Sequence, residues 1–193
     1  VEADYFNENT LAKFIAKFND WKIKKLVGCI HYQQANYSSK ETKLTDKNGN
    51  VLAAVAKADI GIYSEKAAIP DKYLYETLDY DSDLERTNIL GDIQEVVVFG
   101  KIPRRSIAIP TIDGTYSPDF MYVVRRMSGS HELNVVIETK GVESSGELRG
   151  SEQQRIECAK KFFEQLKDDG IEGKFQAQIN NQGVKEIIEG LMV

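Results

Sequence analysis

The sequence predicts an α/β chain (an α+β mixed sheet) in which, from residue 82 onward, the order is helix, three meandering strands, helix, strand, helix. Three observations carry this expectation. Residues 119–126 and 133–139 are rich in Val, Ile, Tyr and Phe and flank a polar stretch containing Gly129, the pattern of a β-hairpin. An amphipathic stretch from about Ser151 to Asp169 then leads into the short strand FQAQI, so the strand before that helix and the strand after it should be parallel neighbours joined by a right-handed crossover. Ahead of the sheet, Ser82 and Glu85 form the S-x-x-E pattern that opens a helix, and Gly91 stands where that helix would stop.

Taken in order, the chain begins with Leu11, Phe14, Ile15, Phe18 and Trp21 at helical spacing, which predicts a helix from about Thr10 to Leu26 with Asn9 or Thr10 as its cap. A row of this kind is expected to face the core. Residues 25–37 look strand-like, and Lys47-Asn48-Gly49-Asn50 carries the Asn-Gly signal of a tight hairpin turn. The small and apolar stretch VLAAVAKADIGIYS would supply the returning strand. Residues 64–80, with Pro70 and mixed charge, read as a connector. The expected division is therefore an extension over 1–75 packed on a core over 76–193.

Within that core, IQEVVVFG is a strand, and KIPRRSIAIP continues it as an edge or bent strand because its two prolines cannot donate to a ladder. Lys101, Arg104 and Arg105 cluster at the bend, where they can serve as phosphate contacts or as the charges that blunt a sheet edge. Asp113-Gly114 marks the turn leading to the next strand.

The hairpin that follows holds the chemistry. The midpoint of Asp119 and Glu138 falls within the Ser128-Gly129-Ser130 loop, so an antiparallel register sets the two carboxylates opposite each other. Lys140 shares a face with Glu138, while Thr139 turns away and leaves its backbone carbonyl at the same strand end. Two carboxylates this close need a cation between them, and hard oxygen donors without nearby His or Cys favour Mg2+, with Mn2+ as a substitute. A lysine beside such an ion suits the hydrolysis of a phosphodiester.

Beyond the hairpin, Gly141 and Gly146 have the spacing of a phosphate loop, but Glu147 occupies the position that needs lysine, so no nucleotide cradle is expected. In the long helix, Ile156, Ala159, Phe162, Phe163 and Leu166 form one apolar stripe and Gly170 ends the turn. VKEIIEGL closes the chain as a helix.

Pro118-Asp119 followed by Glu138-Thr139-Lys140 resembles the PD-(D/E)xK nuclease signature. The wider text, YSPDFMYVV and LNVVIETKG together with YDSDLERTNI and VVVFGKIPRRSIAIPT, resembles the C-terminal endonuclease domain of the type III restriction enzyme Res subunit. That resemblance implies a restriction-endonuclease-like αβββαβ core that cuts double-stranded DNA. Asp119, Glu138 and Lys140 would be catalytic, and Asp119, Glu138, the Thr139 carbonyl and Glu85 would hold the metal, with Glu85 equally suited to capping its own helix. It places Gln154 among the DNA-facing groups, beside Gln153, Arg155 and Lys160. It also implies a modification (Mod) methyltransferase partner and a helicase-type motor elsewhere in the same protein, which would bind the ATP that this domain does not. Two other readings share the same metal site: an autonomous repair or junction-resolving nuclease, and a catalytically inactive DNA-binding relative.

Composition sets bounds on these readings. A length of 193 residues suffices for one sizeable core, and the formal net charge of −5 argues against a protein that grips nucleic acid by bulk electrostatics alone. No apolar run approaches a membrane span, and two cysteines far apart in sequence suit a reducing compartment, so a cytoplasmic location is expected, which the resemblance implies is bacterial.

Overall fold

The structure is a computed structural model and describes residues 7–35, 40–125, 132–142, 148, 150–179 and 183–191. The Ser128–Ser130 loop and the glycine-rich stretch 143–147 lie outside the described residues.

A four-stranded sheet forms the centre, built from β3 (Val96–Lys101), β6 (Phe120–Arg125), β7 (Glu132–Thr139) and β8 (Lys174–Gln178), in that spatial order. β3 and β6 pair antiparallel, as do β6 and β7, whereas β7 and β8 run parallel. The parallel pair is joined by α4 (Gly150–Asp168), as a crossover requires. The three expected strands are present, with one addition between the first and second. The chain leaves the sheet after Lys101 and makes a separate hairpin of β4 (Ile109–Thr111) and β5 (Gly114–Tyr116) around the Asp113-Gly114 turn. Gly114 takes φ 137°, a conformation side chains oppose.

Strand parity sorts the interior into two layers. Phe120, Tyr122, Val124, Val135 and Ile137 face one way and pack with Ile89 of α3 (Asp83–Leu90) and Val184, Ile187 and Ile188 of α5 (Val184–Leu191). Val136 faces the other way and packs with Ile156, Ala159 and Phe163 of α4, Phe175, and Ile109 and Tyr116 from the small hairpin. Asp119 and Glu138 belong to this second face by the same alternation.

The first third departs from the expected outline. α1 runs Glu8–Gly28, capped by the side chain of Asn7, which accepts from Thr10 N–H at 2.9 Å. It therefore absorbs residues 25–28 of the stretch read as a strand. The turn at residues 46–50 forms, with Gly49 at φ 85° and the Asp46 carboxylate accepting from Asn48 and Asn50 N–H, but only the bridge Thr45↔Val51 extends it. Small alanine-rich sequence cannot fill a strand face, and the chain makes the short helix α2 (Lys57–Ile60) instead. β1 (Tyr63–Glu65) and β2 (Leu78–Tyr80) then pair with each other across residue 75. Residues 72–74 also bond the edge of β3, through Leu74 N–H to Phe99 O at 2.8 Å and Phe99 N–H to Lys72 O at 2.9 Å.

The core-facing expectation for the α1 stripe is overturned. Leu11, Phe14, Ile15, Phe18 and Trp21 are all exposed, and the helix instead buries Ile23 and Val27 against Cys158 of α4. No described helix is long and apolar enough to cross a membrane.

Candidate active site

The hairpin register pairs Phe120 with Ile137, so the next step sets Asp119 against Glu138. The Asp119 carboxylate accepts a hydrogen bond from Thr139 N–H at 2.7 Å, which fixes it across the end of β7. Lys140 extends the same strand end. Its backbone N–H donates to Gln178 O at 3.0 Å, and its ammonium lies 2.7 Å from Glu138 Oε1 and 3.5 Å from Glu152 Oε1.

Tyr116, on β5, donates its hydroxyl to the other oxygen of Glu138. The buried Glu138 carboxylate is thus held between a phenol and an ammonium. No spacing motif marks Tyr116 in the sequence. The available signal is an aromatic residue two positions after the Asp113-Gly114 turn, in a hairpin that folds over the α4 face of the sheet.

Charge in this pocket is strained. Burial and the neighbouring negative charge of Glu138 push the Asp119 carboxyl well above the ordinary carboxylate range, against the Thr139 N–H that favours its ionised form, and Glu85 adds a weaker repulsion. Burial and Glu138 likewise push the Tyr116 phenol far up, which keeps it a hydrogen-bond donor. Burial alone would lower the Lys140 ammonium, but Glu138 outweighs it and the pKa rises above the ordinary lysine value. The pocket thus favours the charged form of Lys140.

Glu85 stands on the α3 side of the strand end, near enough to repel Asp119, and is engaged by a lysine. Lys101 stands opposite Phe120 in the register and so faces α3, where its buried ammonium lies 2.6 Å from Glu85 and 3.0 Å from Asp81. Glu85 also caps its helix one residue further out than the usual capping box. Its carboxylate accepts from Asp81 N–H at 2.8 Å, while Ser82 Oγ accepts from Glu85 N–H at 3.3 Å. Among the described residues, no three His, Cys, Asp or Glu side chains gather at one point for a metal. The oxygen set at the strand end is Asp119, Glu138 and the Thr139 carbonyl, a hard donor set whose mutual repulsion a divalent cation would relieve.

The basic cluster also divides. Arg104 is tied to Ala58 O at 2.8 Å and to the Asp81 carboxylate, and Lys101 is buried. Arg105 is exposed, at φ 66°, and all three basic residues line, with Ser117, Pro118 and Asp119, a cleft of about 350 Å³. A second cleft of about 210 Å³, lined by Tyr116, Ser117, Glu138, Lys140, Glu152 and Arg155, adjoins the other side of the acids. Gln154 and Arg155 both reach Asp113, at 3.4 and 3.5 Å, from the first turns of α4.

Thr139 turns its hydroxyl to the α3 side, where Asn88 donates to it at 3.4 Å. Asn88 and Gln178 exchange two amide hydrogen bonds, at 2.6 and 3.2 Å, and clamp α3 to β8 beneath the site. Neither residue is distinguished in the sequence, because an isolated amide carries no periodic signal.

Over 98% of its length the chain is 38% identical to the Res subunit of the type III restriction-modification enzyme EcoP15I of Escherichia coli and 37% identical to the EcoPI Res subunit of Escherichia phage P1. Over 69% of its length it is 32% identical to the StyLTI Res subunit of Salmonella typhimurium. The chain spans 20% of the length of the first two and 14% of the third. No solved structure matches it. The endonuclease domain family matches residues 71–183, a segment that contains the whole central sheet, the opposed acids and the lysine. The chain belongs to the endonuclease domain family.

Proposed function

We propose that this chain is the DNA-cleavage module of an ATP-dependent type III restriction enzyme and hydrolyses phosphodiester bonds of duplex DNA with Mg2+. The observation that carries the reading is the opposition of Asp119 and Glu138 at one strand end, with the Lys140 ammonium 2.7 Å from Glu138 and clefts on both sides.

Asp119, Glu138 and the Thr139 carbonyl would hold the ion, which when bound supplies Lewis acidity to the scissile phosphate and lowers the pKa of a bound water. This chain's own groups do the rest. Lys140, held charged by Glu138, orients the attacking water and offsets negative charge developing on the phosphate. Tyr116 fixes the rotamer of Glu138. Arg105 contacts the DNA backbone in the cleft beside Asp119. Glu85 serves the fold through Lys101 and the α3 cap rather than the ion. Recognition of the DNA site belongs to a modification subunit and strand translocation to a motor in the same protein, so a net charge of −5 here is no obstacle: tethering supplies local concentration.

Thermal unfolding tests the metal reading directly. The unfolding midpoint should rise as Mg2+ is added and fall back with chelator, as ligand linkage requires. A midpoint indifferent to Mg2+ and Mn2+ would count against it. Tyr116→Phe keeps the ring and removes one donor to Glu138. It is expected to shift the Mg2+ concentration for half-maximal cleavage upward by about 10–100-fold, leaving the affinity for DNA unchanged. An unshifted metal titration would mean that the Tyr116–Glu138 bond has no part in metal binding.

A further inference from the structure

The exposed face of α1 is a built seam. Leu11, Phe14, Phe18 and Trp21 are spaced by three, four and three residues, the a and d positions of a heptad, with Ile15 flanking at e. They are 57%, 68%, 51% and 55% exposed, and Ile15 is 49% exposed. Phe18 and Trp21 already pack ring on ring, with centroids 5.8 Å apart. The other side of the helix is the one that holds it to the domain. Asp20, Ile23 and Val27 occupy the c and f positions, where Ile23 and Val27 pack on Cys158, Gln153 donates to Asp20 at 3.2 Å and Lys161 to Val27 O at 2.8 Å. The seam therefore points directly away from the body of the chain, and five large apolar side chains in a row are more than a monomer ordinarily leaves in water.

We propose that this seam docks an amphipathic helix with acidic flanks that belongs to the same subunit outside this chain. Two observations select that occupant. The curated relatives carry this region, α1 included, within proteins of which it makes up only 20%, so most of such a subunit lies beyond the chain and is available to cover the seam. Charge excludes a second copy. Of the positions flanking the seam, Lys17 and Lys24 stand at g and Lys22 at e, with Lys24 already bonded to Asp20 at 3.0 Å and Thr10 at g and Ile15 at e nearer the N-terminus. Parallel self-pairing would set Lys17 against Lys22, and antiparallel self-pairing would set each e and g lysine against its own kind. A partner with Asp or Glu at e and g meets all of them favourably. The 3-4-3 spacing of Leu11, Phe14, Phe18 and Trp21 is the spacing that a partner helix interlocks with.

The proposal rests on the reading of this chain as one module of a longer subunit, and the test separates the two. The subunit is purified from its native gene and weighed intact. Zero-length carbodiimide coupling, which joins lysine to carboxylate, is then applied and the products are mapped by mass spectrometry. Lys17 or Lys22 is expected to couple to Asp or Glu of the same subunit outside these 193 residues. Phe14→Glu with Phe18→Glu should lower the yield of those links at least tenfold, and Phe14→Leu with Phe18→Leu should retain them. Circular dichroism unchanged in both variants shows that the domain is intact. Links confined to this chain, links between isotope-labelled copies, a yield indifferent to the glutamates, or sedimentation of the wild-type protein but not the glutamate variant with anionic vesicles each overturns the proposal while leaving the nuclease reading untouched. A native protein no longer than this chain overturns both together.

Discussion

Replacing Asp119 with asparagine is expected to abolish DNA cleavage, by about a thousandfold or more, while raising the temperature at which the protein unfolds without metal. Asparagine keeps an oxygen for the Thr139 N–H but removes a charge that burial and Glu138 both oppose. The gain should be roughly 2–4 °C for each kcal/mol of relieved repulsion in a chain of this size. The two effects point in opposite directions because the carboxylate is kept for chemistry at the expense of the fold. The midpoint gain should vanish in saturating Mg2+, since the cation neutralises the same repulsion in the wild type. Cleavage within tenfold of wild type, or a lower midpoint in chelator, would remove Asp119 from the role given to it here. Lys140→Ala is expected to match the loss of cleavage without the gain in stability, because it leaves Glu138 without its ammonium.

The largest effect on folding is expected at Lys101. Lys101→Met leaves the buried Glu85 carboxylate with only the Asp81 N–H, and breaking a buried pair from one side costs about 3–5 kcal/mol. Asp81 is less affected because Arg104 still holds it. Adding Glu85→Gln to the first change should recover much of the loss, since the uncompensated charge disappears and the amide still accepts at the helix cap. Urea denaturation of the two variants measures both numbers. The same experiment separates a buried structural lysine from the phosphate contact that the sequence suggests. A lysine that grips a phosphate would cost little stability, and its loss would lower the salt slope of DNA binding by about one. A cost below about 1 kcal/mol together with such a slope change would return Lys101 to the DNA-facing cluster, beside the exposed Arg104 and Arg105.

The acids were legible because a hairpin converts sequence distance into spatial opposition. Once the loop is located, Asp119 and Glu138 are expected opposite each other, and the observed register, which runs to Phe120 opposite Ile137, brings them to one strand end. The Ser82 cap, the α4 stripe and the closing helix were readable for a similar reason, each being fixed by neighbours within a few residues. Contacts between distant segments were not readable. A lysine is rarely buried, so Lys101 reads as surface until β3 and α3 are seen face to face. Periodicity showed that Leu11 to Trp21 form one side of a helix, yet it cannot say which side the rest of the molecule takes. Tyr116 escaped because its role depends on a small hairpin turning out of the sheet and back over it.

The clamp between Asn88 and Gln178 bears on how the protein is made. The end of β7 is complete only when β8 lies beside it: Lys140 N–H bonds Gln178 O, and the Gln178 side chain locks Asn88, which in turn reaches Thr139. During synthesis the chain emerges from its N-terminus, so the acids and the lysine leave the ribosome well before the strand that orders them. A nascent chain ending ahead of residue 174 should therefore expose the Lys140 amide to rapid hydrogen exchange and show no cutting activity. Slow exchange at that amide in such a truncated chain would contradict this order of events. On that order of events the proposed cutting centre is assembled only once β8 has left the ribosome, well after its acids and its lysine.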